Sequence, residues 1–132
     1  MVRNWYHGAA KCGKPNPSQA DRHIKHHRLA GRERFAHKIR QIYANSMHFD
    51  FSPYLGEMDI VFIDGGHHYE AAASDTRNAL RMVRPGGFIL WHDFANYGDY
   101  NDVTRAALDL LPRNSVVQLE NSELAVYRVP AA

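Results

Sequence analysis

Two short apolar runs each end in side chains that can move protons or hold a metal ion. The first, MDIVFIDGGHHYE, delivers Asp64, His67 and His68, and the second, RPGGFILWHDF, delivers His92 and Asp93. Carboxylates and imidazoles are the groups that ligate divalent cations and exchange protons near neutral pH. In an open parallel sheet, ligands bind at the C-terminal edge of the strands, so these five residues are expected to converge on one crevice.

The elements that must position them can be read around them. Ile60 to Ile63 and Phe88 to Trp91 are β-branched and aromatic runs bounded by Gly65-Gly66 and by Pro85-Gly86-Gly87. Neither run alternates with polar residues, which suits strands covered on both faces by helices. Between them Ala72, Thr76, Ala79, Leu80 and Val83 recur at helical spacing, with Ser74, Asp75, Arg77, Asn78 and Arg81 largely on the other side. The pattern predicts a βαβ unit with a right-handed crossover. A second apolar stripe, Val103, Ala106, Ala107, Leu110 and Leu111, has Asp102 or Asn101 as its N-cap and Pro112 as its stop. Only Asn121, Ser122 and Glu123 separate the strand-like runs Val116 to Glu120 and Leu124 to Val129, which predicts an antiparallel hairpin. The expected fold is α/β, a mostly parallel sheet with an antiparallel C-terminal strand.

Upstream, Lys38 to Ala44 reads as an edge strand. Residues 1–34 are rich in Lys, Arg, His, Gly and Pro and hold no sustained apolar period. They are expected to form a basic, mostly irregular segment with a short helix near Ser18 to Leu29, ahead of an α/β domain over 35–132. Residues 1–45 carry ten Lys or Arg against two acids, Asp21 and Glu33. No aromatic interleaving or binding motif accompanies these charges, so a solvated segment is expected rather than a nucleic-acid-binding arm. The 132 residues and net charge of +2 bound a single domain and say little about partners. Cys12 is the only cysteine, so an intrachain disulfide and a thiolate metal cage are excluded and a reducing, cytoplasmic setting is expected. No run of ~20 apolar residues points to a membrane.

Two further motifs carry partial signals. Gly8 to Pro15 nearly spells a phosphate-binding loop, but Pro15 stands where a Ser or Thr hydroxyl would hold Mg²⁺, and Met1 to His7 lacks the character of a strand feeding that loop. His23, His26 and His27 could share a helical face as zinc ligands do, yet no apolar face supports that helix. Both read as solvated loop. At the crevice, Asp64 is a working carboxylate or a turn acid, and His67 a general base or a turn histidine bonded to backbone. Tyr69 is expected to pack or to orient the turn, and Trp91 to sit in the core rather than serve as a substrate platform.

The combination resembles the class I S-adenosylmethionine-dependent methyltransferases, particularly metal-dependent small-molecule and sugar O-methyltransferases. That group carries Asp-Gly-x-His-x-Tyr-Glu after its fourth strand and Pro-Gly-Gly before its fifth. The matches are Asp64, Gly65, His67, Tyr69, Glu70, Pro85, Gly86, Gly87 and Asp93, and the resemblance covers residues 36–129. It implies a Rossmann-like methyltransferase sheet, N-terminally truncated and lacking the glycine-rich cofactor loop and the acid that binds the ribose. It also implies cofactor contacts from Asn45 and Ser46 at the adenine and from Asp64 and Gly65. By the same resemblance Asp64 and Asp93 hold Mg²⁺, with His92 in place of a second acid, and His67 and Asp64 are the catalytic pair. Asn45 departs from the acid usual at its position. His68 and His92 are second choices for base or ligand.

The implied activity is methyl transfer to a small molecule. The flank of the Asp64 strand, left open by the missing strands, would be covered by residues 1–34 or by a second copy of the chain. Two other classes fit the same residues. One is a non-catalytic, truncated methyltransferase-like binding or assembly module. The other is a metal-dependent hydrolase built on Asp64, His67, His92 and Asp93.

Overall fold

Among the described residues, five strands form one sheet in the order β1-β2-β3-β5-β4. They are β1, Trp5–Gly8; β2, Met58–Ile63; β3, Val83–Trp91; β4, Val116–Gln118; and β5, Ala125–Arg128. Helix α1, Tyr69–Met82, connects β2 to β3, and α2, Asp102–Leu110, follows β3. The computed structural model describes residues 5–8, 40, 42, 44–94 and 101–131. Residues 1–11 and 44–132 belong to one compact unit, and 12–43 to another. The expected helix near Ser18 to Leu29, the three histidines 23, 26 and 27 and most of the Gly8 to Pro15 loop lie outside the described residues.

β1, β2 and β3 run parallel, β5 lies antiparallel to β3, and β4 is antiparallel to β5. This is the expected α/β sheet with its antiparallel C-terminal strand inserted beside β3. Two expectations at the N-terminal side are corrected. Trp5–Gly8 is a strand, paired Trp5↔Ile60 through Gly8↔Ile63 along the flank of β2. A single aromatic and mixed tetrapeptide carries too little apolar signal to be read alone, and the ready-made ladder of β2 supplies what local propensity lacks. Of the expected edge strand over 38–44, Arg40, Ile42 and Ala44 belong to no strand, and the rest of that segment lies outside the described residues.

The Pro-Gly-Gly segment is part of β3 rather than its boundary. Val83 pairs with Met58, but the next register pair is Phe88 with Ile60, so residues 84–87 bulge out of the ladder. Pro85 is tolerated there because no ladder bond is asked of it. Gly86 takes a positive φ of 80° and donates to Val129 O at 3.0 Å. At Gly87 a β-carbon would lie 2.6 Å from Val83 Cγ1 and 2.7 Å from the backbone oxygen of Asp59. The bulge also carries Arg84, whose Nε and Nη2 both reach Oδ1 of the buried Asp59 at 2.5 Å.

One face of the sheet is packed against both helices. Val61, Ile63, Ile89, Trp91, Ala125 and Tyr127 are buried there with Ala72, Ala73, Ala79 and Met82 of α1 and Val103, Ala106 and Ala107 of α2. Alanines at the helix contacts let the two helices approach closely. Trp91 is fully buried, as expected of a core residue, and its indole N–H donates to Thr76 Oγ1 at 3.0 Å, so the largest side chain of the core leaves no polar atom unpaired. On the opposite face Ile60, Phe62, Leu90 and Val126 are half-buried.

Gly87→Ala forces a methyl group into backbone and should destabilise the fold by about 1–3 kcal/mol. Urea unfolding measures this, and an unchanged midpoint would show that the bulge relaxes freely around a β-carbon.

Candidate functional site

The site begins one residue beyond the sheet. Ile63 and Trp91 are the last register pair of β2 and β3, and His92 N–H donates to Ile63 O at 3.0 Å. Asp64 and His92 therefore leave the C-terminal edge of neighbouring strands side by side. One ligand atom from each of Asp64, His92 and Asp93 lies within 4.8 Å of the others. His92 Nδ1 is 3.1 Å from Asp93 Oδ1 and 4.0 Å from Asp64 Oδ1. His67 comes back from the loop after β2 to place Nε2 2.9 Å from Asp93 Oδ2. Asp93 thus faces both imidazoles, one on each carboxylate oxygen.

His92 Nδ1 is buried, and Asp93 Oδ1 lies near it but off the line of a well-directed N–H bond. The contact is better described as charge attraction than as an aligned hydrogen bond. The Asp93 contact is the main reason the imidazole binds its proton more tightly than usual, with burial opposing and the charges of Asp93, Asp64 and Glu123 assisting. Two carboxylates and two imidazoles on one sheet edge can hold a cation, accept a proton, or both.

The chain just after β3 is fastened by three bonds from two elements. Phe94 N–H donates to Glu123 O at 2.9 Å, and Gln118 Nε2 donates to Phe94 O at 3.1 Å, both from the β4–β5 hairpin. Asn101 Nδ2 donates to Asp93 O at 2.7 Å. Asp93 itself adopts a left-handed φ of 58°. Of the two N-cap candidates for α2, Asn101 is the one used, its Oδ1 accepting from Thr104 N at 2.8 Å.

The remaining expected residues are dispersed. His68 occupies the N-cap position of α1, is exposed, and makes no side-chain cap. Tyr69 orients the turn as expected. Its N–H donates to Asp102 Oδ2 at 3.2 Å, its hydroxyl donates to Asp109 Oδ2 at 3.1 Å, and Arg105 lies 4.2 Å over its ring. The bond to Asp109 raises the phenol's pKa. Asn45 turns its Oδ1 onto the N–H of Met47 at 3.0 Å. Ser46 is buried, with its hydroxyl facing the buried carboxyl of Asp75 on α1. That hydroxyl makes no well-directed hydrogen bond, so the contact is a loose one. Burial raises the Asp75 pKa, and Ser46 only partly opposes it. Gly65 is half-buried where the chain leaves β2.

Sequence reasoning missed Asn101 and Asp102 as site-supporting residues. The available signal was the N-cap alone, because the second half of each side chain's bonding reaches a loop that is distant in sequence.

A family profile described as a methyltransferase domain matches residues 3–94. No curated protein matches. Among solved structures, the chain is similar to a possible exported protein from Bordetella parapertussis, with a TM-score of 0.53 and 12% identity over 88% of this chain and 51% of that one. It is similar to the N-methyltransferase NodS from Bradyrhizobium japonicum WM9, with a TM-score of 0.50 and 14% identity over 96% of this chain and 84% of that one. A third is the MycE methyltransferase of the mycinamycin biosynthetic pathway, in complex with Mg and SAH, with a TM-score of 0.53 and 15% identity over 99% of this chain and 46% of that one. The chain spans about half the length of the first of these, 51%. Likeness at these identities is likeness of fold. No helix among the described residues is long and apolar enough to cross a membrane.

The buried Asp75 gives a pH-dependent prediction with a definite sign. Its carboxyl binds a proton more tightly in the folded chain than in the unfolded one, so its contribution is lost as pH rises through the folded-state pKa. Asp75→Asn should therefore be more stable than the parent at neutral pH, with the gap closing in acid. Melting temperatures across that range measure it, and a constant gap would remove Asp75 as the cause.

Proposed function

The chain belongs to the methyltransferase-domain family, and on that premise we propose that it transfers a methyl group from S-adenosylmethionine to an oxygen of a small-molecule acceptor. The observation that carries this reading is the meeting of Asp64, His67, His92 and Asp93 at the C-terminal edge of β2 and β3. This edge is where the strands of an α/β sheet present their ligands, and the four side chains provide both a base and a cation cradle.

A divalent ion fits that donor set. Asp64 and Asp93 bring negative charge, and the buried His92 Nδ1, which has no well-directed hydrogen-bond partner, is a nitrogen donor awaiting one. An imidazole among the ligands suits manganese or another first-row ion better than magnesium, which prefers oxygen. Such an ion would lower the pKa of the acceptor hydroxyl. The cofactor would be met at the same edge by Asp64 and Gly65. Asn45 turns its side chain onto the Met47 N–H and the Ser46 hydroxyl is buried facing Asp75, so the adenine would meet backbone groups of that turn.

When bound, the cofactor would supply a methyl carbon on a positively charged sulfur, open to in-line attack by the acceptor oxygen, with the electron pair of the broken carbon–sulfur bond returning to sulfur. The chain's own part is alignment and proton transfer. Asp93 Oδ2 lies 2.9 Å from His67 Nε2, a contact that favours a proton on that nitrogen and would leave Nδ1 to accept one. His67 is two-thirds exposed, with a side-chain accessibility of 66%, and so can reach a hydroxyl entering from solvent. It would take that hydroxyl's proton through Nδ1.

Titration of S-adenosylmethionine and its demethylated product into the folded chain, with and without Mn²⁺ or Mg²⁺, should show binding of the cofactor, and of Mn²⁺ more tightly than Mg²⁺. No cofactor binding at millimolar concentration would refute the assignment for this chain. His67→Ala should lower the transfer rate by about 10²- to 10⁴-fold while leaving the cofactor affinity near that of the parent. Asp64→Ala should remove the metal dependence. Transfer that persists unchanged in either variant would take that residue out of the mechanism.

A further inference from the structure

The two loops that carry the site are joined by the first residues of α2. Asn101 donates through Nδ2 to Asp93 O at 2.7 Å, in the loop after β3. Asp102, the next residue, accepts from Tyr69 N–H at 3.2 Å, at the end of the loop that brings His67 back from β2. Each bond falls within two residues of one partner of the His67–Asp93 contact. Neither is needed to build α2, because the cap is made by the other half of Asn101, Oδ1 with Thr104 N–H at 2.8 Å.

We propose that Asn101 and Asp102 form a clasp that sets the separation of His67 and Asp93, and that both are positioning residues for the site. Asp93 is held at a left-handed φ of 58°. The donor on its carbonyl helps to fix the adjoining peptide plane, and with it the direction in which the carboxylate leaves the backbone. The first turn of α1 has no side-chain cap of its own, so Asp102 supplies an acceptor to one of its unpaired N–H groups and ties the His67 loop to the same helix. Arg105 reinforces that tie, lying 3.6 Å from Asp102 Oδ1 and 4.2 Å over the Tyr69 ring. The consequence for metal binding rests on the site assigned above. The clasp's effect on the His67–Asp93 pair does not.

The decisive variant is Asn101→Asp in the full chain. Aspartate keeps an acceptor for Thr104 N–H and suits a helix N-terminus, but it sets an acceptor against Asp93 O where a donor is required. The expected result is a melting temperature near that of the parent, Mn²⁺ affinity weakened about ten- to a hundredfold, and His67 ring ¹⁵N shifts, read at one fixed pH, displaced toward those of free imidazole. Asp102→Ala should move the same two readouts, and Asp102→Asn, which retains an acceptor oxygen, should restore them. Unchanged Mn²⁺ affinity and unchanged His67 shifts in folded Asn101→Asp would overturn the clasp, as would losses in Asp102→Ala that Asp102→Asn fails to restore. A parent chain that binds no Mn²⁺ would refute the metal assignment, and the His67 shifts would then decide the clasp by themselves.

Discussion

The site depends on a single backbone hydrogen bond, from His92 N–H to Ile63 O at 3.0 Å, made one step past the last register pair of β2 and β3. Because side chains alternate between the faces of a sheet, a slip of one residue between these strands would send every inward side chain outward. Val61, Ile63, Ile89 and Trp91 are buried on the helix-covered face, so the register is fixed by the core and inherited by the loops. The bond carries that register beyond the ladder. It is the reason that two residues in different loops, Asp64 and His92, present their polar atoms at the same height.

The register is itself held by polar groups in places where burial would otherwise be costly. Asp59 is buried at the start of β2 and matched by Arg84 from the bulge of β3. Thr76 sits fully buried on α1 and accepts the Trp91 indole N–H. Removing Thr76 would leave the buried Trp91 N–H without its acceptor, which is more costly than losing the bond itself, whereas removing the more exposed Arg84 would take the matching charge from the buried Asp59. These contacts therefore specify how β3 lies against β2 and α1 more than they add to net stability. Asp75 differs, since its carboxyl is buried against a loosely placed hydroxyl and is kept closer to its neutral form.

What was legible in the sequence follows from where the signal is local. The runs Ile60 to Ile63 and Phe88 to Trp91, the helical spacing from Ala72 to Val83 and the short link at 121–123 each specify an element without help from elsewhere, and all were read correctly in type. The convergence of Asp64, His92 and Asp93 followed from a rule about sheet edges rather than from any side-chain geometry. β1 was not legible, because four residues, Trp5–Gly8, become a strand only through their pairing with β2. The Pro-Gly-Gly bulge was mistaken for a strand boundary, since a break in residue type looks the same whether the strand begins there or buckles and continues. Asn101 was visible as a cap and invisible as a donor to Asp93, because the latter role requires the chain to return over eight residues.

Asp93 shows why the site and the stability of the loop are separate demands. A left-handed φ of 58° is a conformation that glycine adopts without strain and that aspartate tolerates better than most residues. Had only the turn mattered, glycine would serve as well, and the bonds from Asn101, Gln118 and the hairpin backbone would have less to hold. The carboxylate is instead set between two imidazoles, His67 on one oxygen and His92 on the other. Strained non-glycine residues persist where surrounding contacts over-determine them, and they cluster where chemistry is done. The loop after β3 meets both conditions, with its backbone fastened from α2 and from the hairpin while the Asp93 carboxylate faces His67 and His92, two groups able to share a proton or a cation with it.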